Sequence, residues 1–414
     1  MSVKIKKINI KNNMCRAIVD VNGNKDEVWY EFPYDIDKNN INAANALLVA
    51  FLPIAMKTSD KIIIEGNISK KLLDSLKTYQ EIMKKWYPEL NIVKIEFDRL
   101  CDDIKTDESK KRISCFTGGV DAFYTLIKNE KKIDELLFVW GFDIPLTNDV
   151  FYHKVEKHLK KVASEMKKNI VFVKTNLGFE ITNKYASWGD YCYGAAIASV
   201  ILLMSNKYFE CLVPSCNDYS VLTPRGSHIL INHLWNCDNV SFIYDGAESS
   251  RTEKVDLIAD SKVVQKNLRV CYSSNDEYNC SECEKCLRTM ASLYALGKIN
   301  KIKTFKPLSL SKIGETKLEN ESQLNFAKAT LKKAIENNKL DLVEELKKQI
   351  NNYEIEKIVK KIDENFDMII TNESFESIRD RILLWNVNNN TKKTFKLSTK
   401  QIIKKIFNGG KNEN

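Results

Sequence analysis

Ile113-Ser114-Cys115-Phe116-Thr117-Gly118-Gly119-Val120-Asp121-Ala122-Phe123 runs from an apolar strand through a double glycine into an apolar-patterned helix. Paired glycines let the backbone turn tightly and approach a ligand, and the free amides and positive dipole end of the next helix attract an anion. The stretch reads as a phosphate cradle in which Thr117 offers a hydroxyl and Asp121 a carboxylate able to position a magnesium ion. A plain turn is the common alternative for such a pair, and the rest of the chain weighs between the two.

Working outward, the pattern strand, loop, helix repeats: strands at 113–116, 135–140, 170–174 and 211–214, helices at 120–128, 148–167 and 189–204. Such alternation predicts an α/β fold with a doubly wound parallel sheet. Ligands in these sheets bind beyond the carboxyl ends of the strands, where the motif falls. Residues 1–105 read instead as a separate α+β module. Period-two apolar positions mark strands at 3–10, 15–21, 27–32, 61–64 and 91–97, Asn22-Gly23-Asn24 signals a hairpin, and helices are expected at 41–57 and 70–86. The central domain spans 106–300. Within 301–414, three amphipathic helical patterns over 308–381 predict a helical extension that ends in a basic tail.

Eleven cysteines in no even, regular framework, with no signal peptide, point to a reducing cytoplasmic setting where clustered thiols suggest metal before disulfide. Cys271, Cys280, Cys283 and Cys286 form Cys-x8-Cys-x2-Cys-x2-Cys, the last three on a tight turn entering a helix at 284–296. Four thiolates suit a closed tetrahedral zinc site that contributes folding free energy without chemistry. An iron–sulfur cluster is the competing occupant.

Other polar residues fall near the same sheet edge. Asp143 closes the second strand and can meet a ribose or a base edge, or act as a turn residue. The segment 188–194 opens a very apolar helix with aromatics beside glycines, a stacking platform or plain core packing. The polar loop 215–232 carries Cys216, Asp218, Arg225 and His228, and long loops in compact domains are commonly functional. Arg225 can pair bidentately with a carboxylate or phosphate, and His228 can carry a proton near neutrality. Arg251 and Lys254 can neutralise phosphate charge in transfer, or simply sit in a charged helix start.

A Gly-Gly phosphate loop followed by the four-cysteine spacing resembles 7-cyano-7-deazaguanine synthase, a zinc-containing member of the ATP pyrophosphatase (PP-loop) superfamily. That superfamily's loop reads Ser-Gly-Gly-x-Asp-Ser, with Thr117 and Ala122 here in place of its two serines. Asn217-Asp218-Tyr219-Ser220 with Pro224-Arg225, and the segment 252–257, are similar to further motifs of the family. The resemblance covers roughly residues 112–298. It implies a nucleotide-binding (HUP-like) core and ATP and Mg2+ as cofactors beside Zn2+. Thr117, Gly118, Gly119, Val120, Asp121, Ala122 and Asp143 would hold the nucleotide, and Asp121, Asp218, Arg225 and Lys254 would serve catalysis. The implied reaction adenylates a carboxylate, small or carried on a protein, and passes it to a nitrogen nucleophile.

Two alternatives stay open: sulfur insertion, with Cys216 as a persulfide carrier, and a nucleotide-binding scaffold whose Ala122 marks a decayed site. The longest apolar run, 46–56, is too short to span a bilayer and contains Pro53. The net charge of +9 is concentrated late, since 382–414 holds seven Lys against one Glu. Such a tail suits an acidic protein or nucleic acid, though a solvated terminus is the ordinary reading. A homodimer is open.

Overall fold

The computed structural model describes residues 1–101, 106–237, 239–272 and 277–365. The described residues fall into two compact units, divided between Leu308 and Ser309. The first is built on one sheet of ten strands: β1 (Ser2–Lys11), β2 (Met14–Val21), β3 (Asn24–Glu31), β4 (Lys61–Ser69), β5 (Lys94–Cys101), β6 (Lys111–Cys115), β7 (Glu135–Trp140), β8 (Asn169–Thr175), β9 (Tyr208–Pro214) and β10 (Ser241–Asp245). Their order is β10-β9-β6-β7-β8-β3-β2-β1-β4-β5. The five strands from β10 to β8 are mutually parallel, as are β1, β4 and β5. The hairpins β1–β2–β3 and the β3–β8 pair are antiparallel.

Alternation along the central strands shows why both faces are covered. Leu137 and Val139 of β7 join one buried cluster, and Leu136 and Phe138 join the other. Likewise Cys211 and Val213 of β9 face the first cluster and Leu212 the second. A strand buried on both sides needs helices on both sides. The first face carries the helices Ala43–Thr58 and Tyr193–Leu203, apolar almost all round. The second carries Val120–Lys128, Asp149–Glu165, Arg251–Ile258 and Glu284–Ala295. The chain is therefore an α/β protein with a Rossmann-like central sheet.

Residues 1–105 and 106–300 contribute to a single sheet. Tyr30 pairs with Thr175 and Glu31 with Lys174. The helix Ala43–Thr58 shares its buried cluster with Tyr193–Leu203 of the central segment. Asn22 and Gly23 have φ of +54° and +96°, the left-handed pair that a two-residue hairpin turn of the right twist demands. In the second unit, the helices Glu321–Glu336 and Leu340–Asn365 bury Leu324, Ala327, Ala334, Leu342 and Leu346. They are tied by ion pairs from Lys328 to Glu354 (3.3 Å) and from Lys357 to Glu321. The basic tail 382–414 and the helical pattern expected beyond residue 365 lie outside the described residues.

Candidate functional site

Strand order places a crevice between β6 and β9. From β6 the chain goes on to β7 and β8 on one side, and β9 and β10 add on the other, so the loops at the carboxyl ends of β6 and β9 diverge. This is the topological switch point at which doubly wound sheets bind ligands. The loop Phe116–Gly119 leaves β6 there, and Ser215 and Cys216 leave β9.

Gly118 has φ +78° and Gly119 caps the helix Val120–Lys128 in extended conformation, with no side chain on the helix's first amides. A Cβ on Gly118 would lie 3.2 Å from Leu159 Cδ2, and one on Gly119 3.5 Å from Thr117 Oγ1. The loop is anchored by Arg269, whose N–H donates to Gly118 O (2.8 Å) and whose Nη1 donates to Thr117 O (3.4 Å). Arg269 is 4% exposed, and its Nε is buried with no hydrogen-bond partner. Val120 and Ala122 point into the core, so the methyl of Ala122 packs among apolar neighbours.

Asp121 stands at the second helical position and is doubly paired. Arg251 Nη1 reaches Oδ2 at 2.5 Å, and Lys254 Nζ reaches Oδ1 at 3.3 Å. Ser250 and Glu253 cap the helix Arg251–Ile258 reciprocally, and the three-residue spacing sets both cations on one helix face. Lys254, 1% exposed, also donates to Ser215 O (2.6 Å) and Oγ (2.9 Å), tying the β9 loop to the β6 loop. Burial by itself would raise the Asp121 carboxyl, but Arg251 and Lys254 outweigh it and hold the pKa below the ordinary aspartate value. Magnesium does not fit Asp121 as arranged, because each carboxylate oxygen already faces a cation.

Further cations surround this pair. Burial holds Arg288 down to about 10, with Arg251 and Arg225 adding to the effect and Glu284 and Asp121 opposing it. Lys285 is solvent-exposed, yet dense surroundings, with Arg288, Arg251 and Arg269, hold its pKa below the ordinary lysine value, against the pull of Asp143. Asp143 is exposed beyond β7. The crevice thus gathers more positive than negative charge.

Loop 215–232 divides the remaining candidates. Arg225 Nη1 donates to Cys216 Sγ at 3.1 Å, beside the Tyr193 and Tyr244 hydroxyls, 3.9 and 3.8 Å from the same sulfur. Asp218 accepts from the N–H (2.8 Å) and hydroxyl of Ser220 and so shapes the turn, the work of an Asx residue. His228 is buried against Trp86, its Nδ1 accepts from Leu230 N (3.1 Å), and burial and Arg225 lower its pKa. Gly194 has a packing reason: a Cβ there would lie 2.1 Å from Gly226 O.

The four sulfurs of Cys271, Cys280, Cys283 and Cys286 lie within 4.8 Å of one another. Cys271–Cys283 and Cys280–Cys286 are 3.8 and 3.9 Å apart. Sulfurs ~2.3 Å from a tetrahedral ion stand about 3.8 Å apart. The backbone N–H groups of Glu282 and Cys283 donate to Cys280 Sγ (3.4 and 3.2 Å), as they would to a ligating thiolate. Without a cation the thiols hinder one another's ionisation: the hydrogen bond with Cys271 leads in pushing Cys283 up to about 11, and Cys286 goes higher. The cluster can hold a metal ion; Cys283 caps the helix that carries Lys285 and Arg288, and Cys286 lies in its first turn.

Ser215, Arg269, Lys285 and Arg288 were not singled out by sequence. The only local signal was position: each follows a strand or flanks a ligand cysteine. Comparison with protein-family models, curated proteins and solved structures returns no significant match. No helix among the described residues is long and apolar enough to cross a membrane.

Proposed function

We propose that this chain is an ATP-dependent, AMP- and pyrophosphate-forming enzyme that adenylates a carboxylate and passes the acyl group to a nitrogen nucleophile. The observation that carries the reading is the uncapped glycine loop at the switch point, ringed by Arg251, Lys254 and Arg269. Fixed amides and cations of this kind suit a polyphosphate, whose charge they offset as the α–β bond breaks. Thr117 adds a hydroxyl to the same loop, and the Ala122 methyl removes a donor without opening the cradle.

In this reading Arg225 receives the carboxylate of the acid, and the walls of loop 215–232 exclude water from the adenylate. Catalysis then rests on positioning and charge stabilisation. A zinc ion in the four-thiolate site would be structural, clamping the turn 280–286 to its helix. The core would be of the HUP type, in line with the resemblance to 7-cyano-7-deazaguanine synthase.

The test is release of AMP and pyrophosphate from ATP across a panel of carboxylic acids, with hydroxylamine as the trapping nucleophile. Acid-dependent AMP and a hydroxamate are expected. ATP bound without AMP formation under any acid would overturn the reading in favour of a nucleotide-binding scaffold. One observation favours a second reading, sulfur insertion: Cys216 sits on Arg225, which suits a thiolate or persulfide. Sulfur transfer from a persulfide donor to the adenylate, with AMP leaving and a thiol reductant cleaving the product from Cys216, would select it if Cys216→Ser abolished the transfer.

A further inference from the structure

The resemblance leads one to expect Asp121 to ligate magnesium, and the geometry points elsewhere. We infer that Asp121 is a positioning residue: it holds the Arg251 guanidinium in place as a donor to phosphate and Lys254 as a fixed buried charge, and any divalent cation is held by the phosphate oxygens without it. The inference rests on the polyphosphate reading of the same crevice.

Three observations carry it. Both Asp121 oxygens are occupied, at 2.5 Å by Arg251 and at 3.3 Å by Lys254. The cations are almost sealed, with side chains 9% and 2% exposed, whereas Asp121 is 21% exposed. Lys254 is further fixed by Ser215 O and Oγ, and so cannot swing away without leaving two acceptors of β9 unpaired. A magnesium ion requires near-octahedral oxygen ligands at ~2.0–2.1 Å. Bringing one to this carboxylate would place it against two immobile cations.

The role predicts a separation between charge and metal. Pyrophosphate is the probe, measured by calorimetry on the full chain with and without magnesium, for the wild type, Asp121→Asn and Arg251→Gln. The ratio of affinities with and without magnesium should be the same in Asp121→Asn as in the wild type, within about twofold. Arg251→Gln should lose about 10- to 100-fold in pyrophosphate affinity, the usual scale for a charge-assisted hydrogen bond. A measurement on the wild type alone guards against misfolding of the variants: manganese titrated without pyrophosphate and followed by electron paramagnetic resonance should show no site tighter than millimolar at the crevice. Loss of the magnesium effect in Asp121→Asn, or tight manganese binding to the wild type that this variant abolishes, would overturn the inference and leave the polyphosphate reading standing. Failure of the wild type to bind pyrophosphate under any condition would remove the polyphosphate reading itself, and the inference with it.

Discussion

Gly141 and Glu135 lie at opposite ends of β7 and show how a single position can be fixed by its surroundings. Gly141 has φ +106°, and a Cβ there would sit 1.9 Å from the carbonyl oxygen of Thr175, backbone that cannot step aside. Gly141→Ala should therefore cost about 3 kcal/mol by urea denaturation, from strain and clash together. A loss below about 0.5 kcal/mol would mean that the ends of β7 and β8 are not so closely apposed. Glu135 is buried with Lys111 at 2.5 Å, Lys207 at 3.3 Å and the Tyr208 hydroxyl on its carboxylate. Burial would raise its pKa, yet these partners bring it down to about 2. A depressed carboxylate stabilises the fold above its unfolded pKa of ~4.3, and that stability is lost as pH falls towards 2. Glu135→Gln should thus be less stable by about 2 kcal/mol at pH 7, allowing for the half-exposed Lys111, with the gap closing between pH 4.3 and 2. A gap that persists at pH 2 would assign the loss to packing. At this scale the sequence is legible where the residues brought together are also close in the chain: Thr117 to Asp121 and the four cysteines lie in short, spaced runs. Arg269 and Arg288 are not legible, because only the fold brings Arg269 to the loop and Arg288 within electrostatic reach of Asp121, and Asp218 shows that a turn residue and a catalytic acid use the same letter.

At the scale of the element, the helix Glu284–Ala295 begins at the four-cysteine cluster. The turn 280–286 contains Ser281 at φ +63°, and it feeds a helix of twelve residues whose first two turns carry Lys285 and Arg288. Met290, Leu293 and Ala295 are buried at the far end of that helix, and the four thiols gather at its near end. Elemental analysis should find one zinc per chain, and chelation should lower the melting temperature and increase hydrogen exchange at 280–290 before the rest of the core. Structural zinc contributes about 10–16 kcal/mol in isolated fingers, though a packed helix end should feel only part of this. Cys283→Ser should reproduce the effect in weaker form. Equal protection of 280–290 with and without metal would show that packing alone suffices. Most helices and strands agree with the expected ones to within a few residues, because periodicity reports burial on one face or two. β10 and the wide helical turns Leu177–Thr182 and Trp188–Cys192 were missed: a five-residue strand leaves little pattern, and such turns follow from close backbone contacts such as Gly178 against Gly141.

At the scale of the whole first unit, what decides behaviour is that the sheet does not stop at residue 105. The joint between β3 and β8 has only two paired residues, which alone would be a weak hinge. It is reinforced by Asn176, whose Oδ1 accepts from Trp29 N (2.9 Å) and whose Nδ2 donates to Glu27 O (2.8 Å), and by Thr175 Oγ1, which donates to Trp29 O (2.6 Å). Sequence patterning marks each strand but carries no record of which edge meets which, since that pairing joins residues about 145 positions apart. Without β3, β8 would present an unpaired edge, a template for aggregation. Without the segment 193–203, the apolar helix Ala43–Thr58 would lose its partner in the shared core. The two halves should therefore open together. Native-state hydrogen exchange should give the amides of β1–β3 and of β6–β8 the same limiting free energy of opening. Asn176→Ala, which removes the partner of the part-buried Trp29 N–H and of the Glu27 carbonyl, should lower both by the same about 1 kcal/mol. Amides of β1–β3 exchanging through a markedly cheaper opening, with Asn176→Ala shifting that half alone, would mean that the first hundred residues fold as a module of their own and that the joint is only a contact.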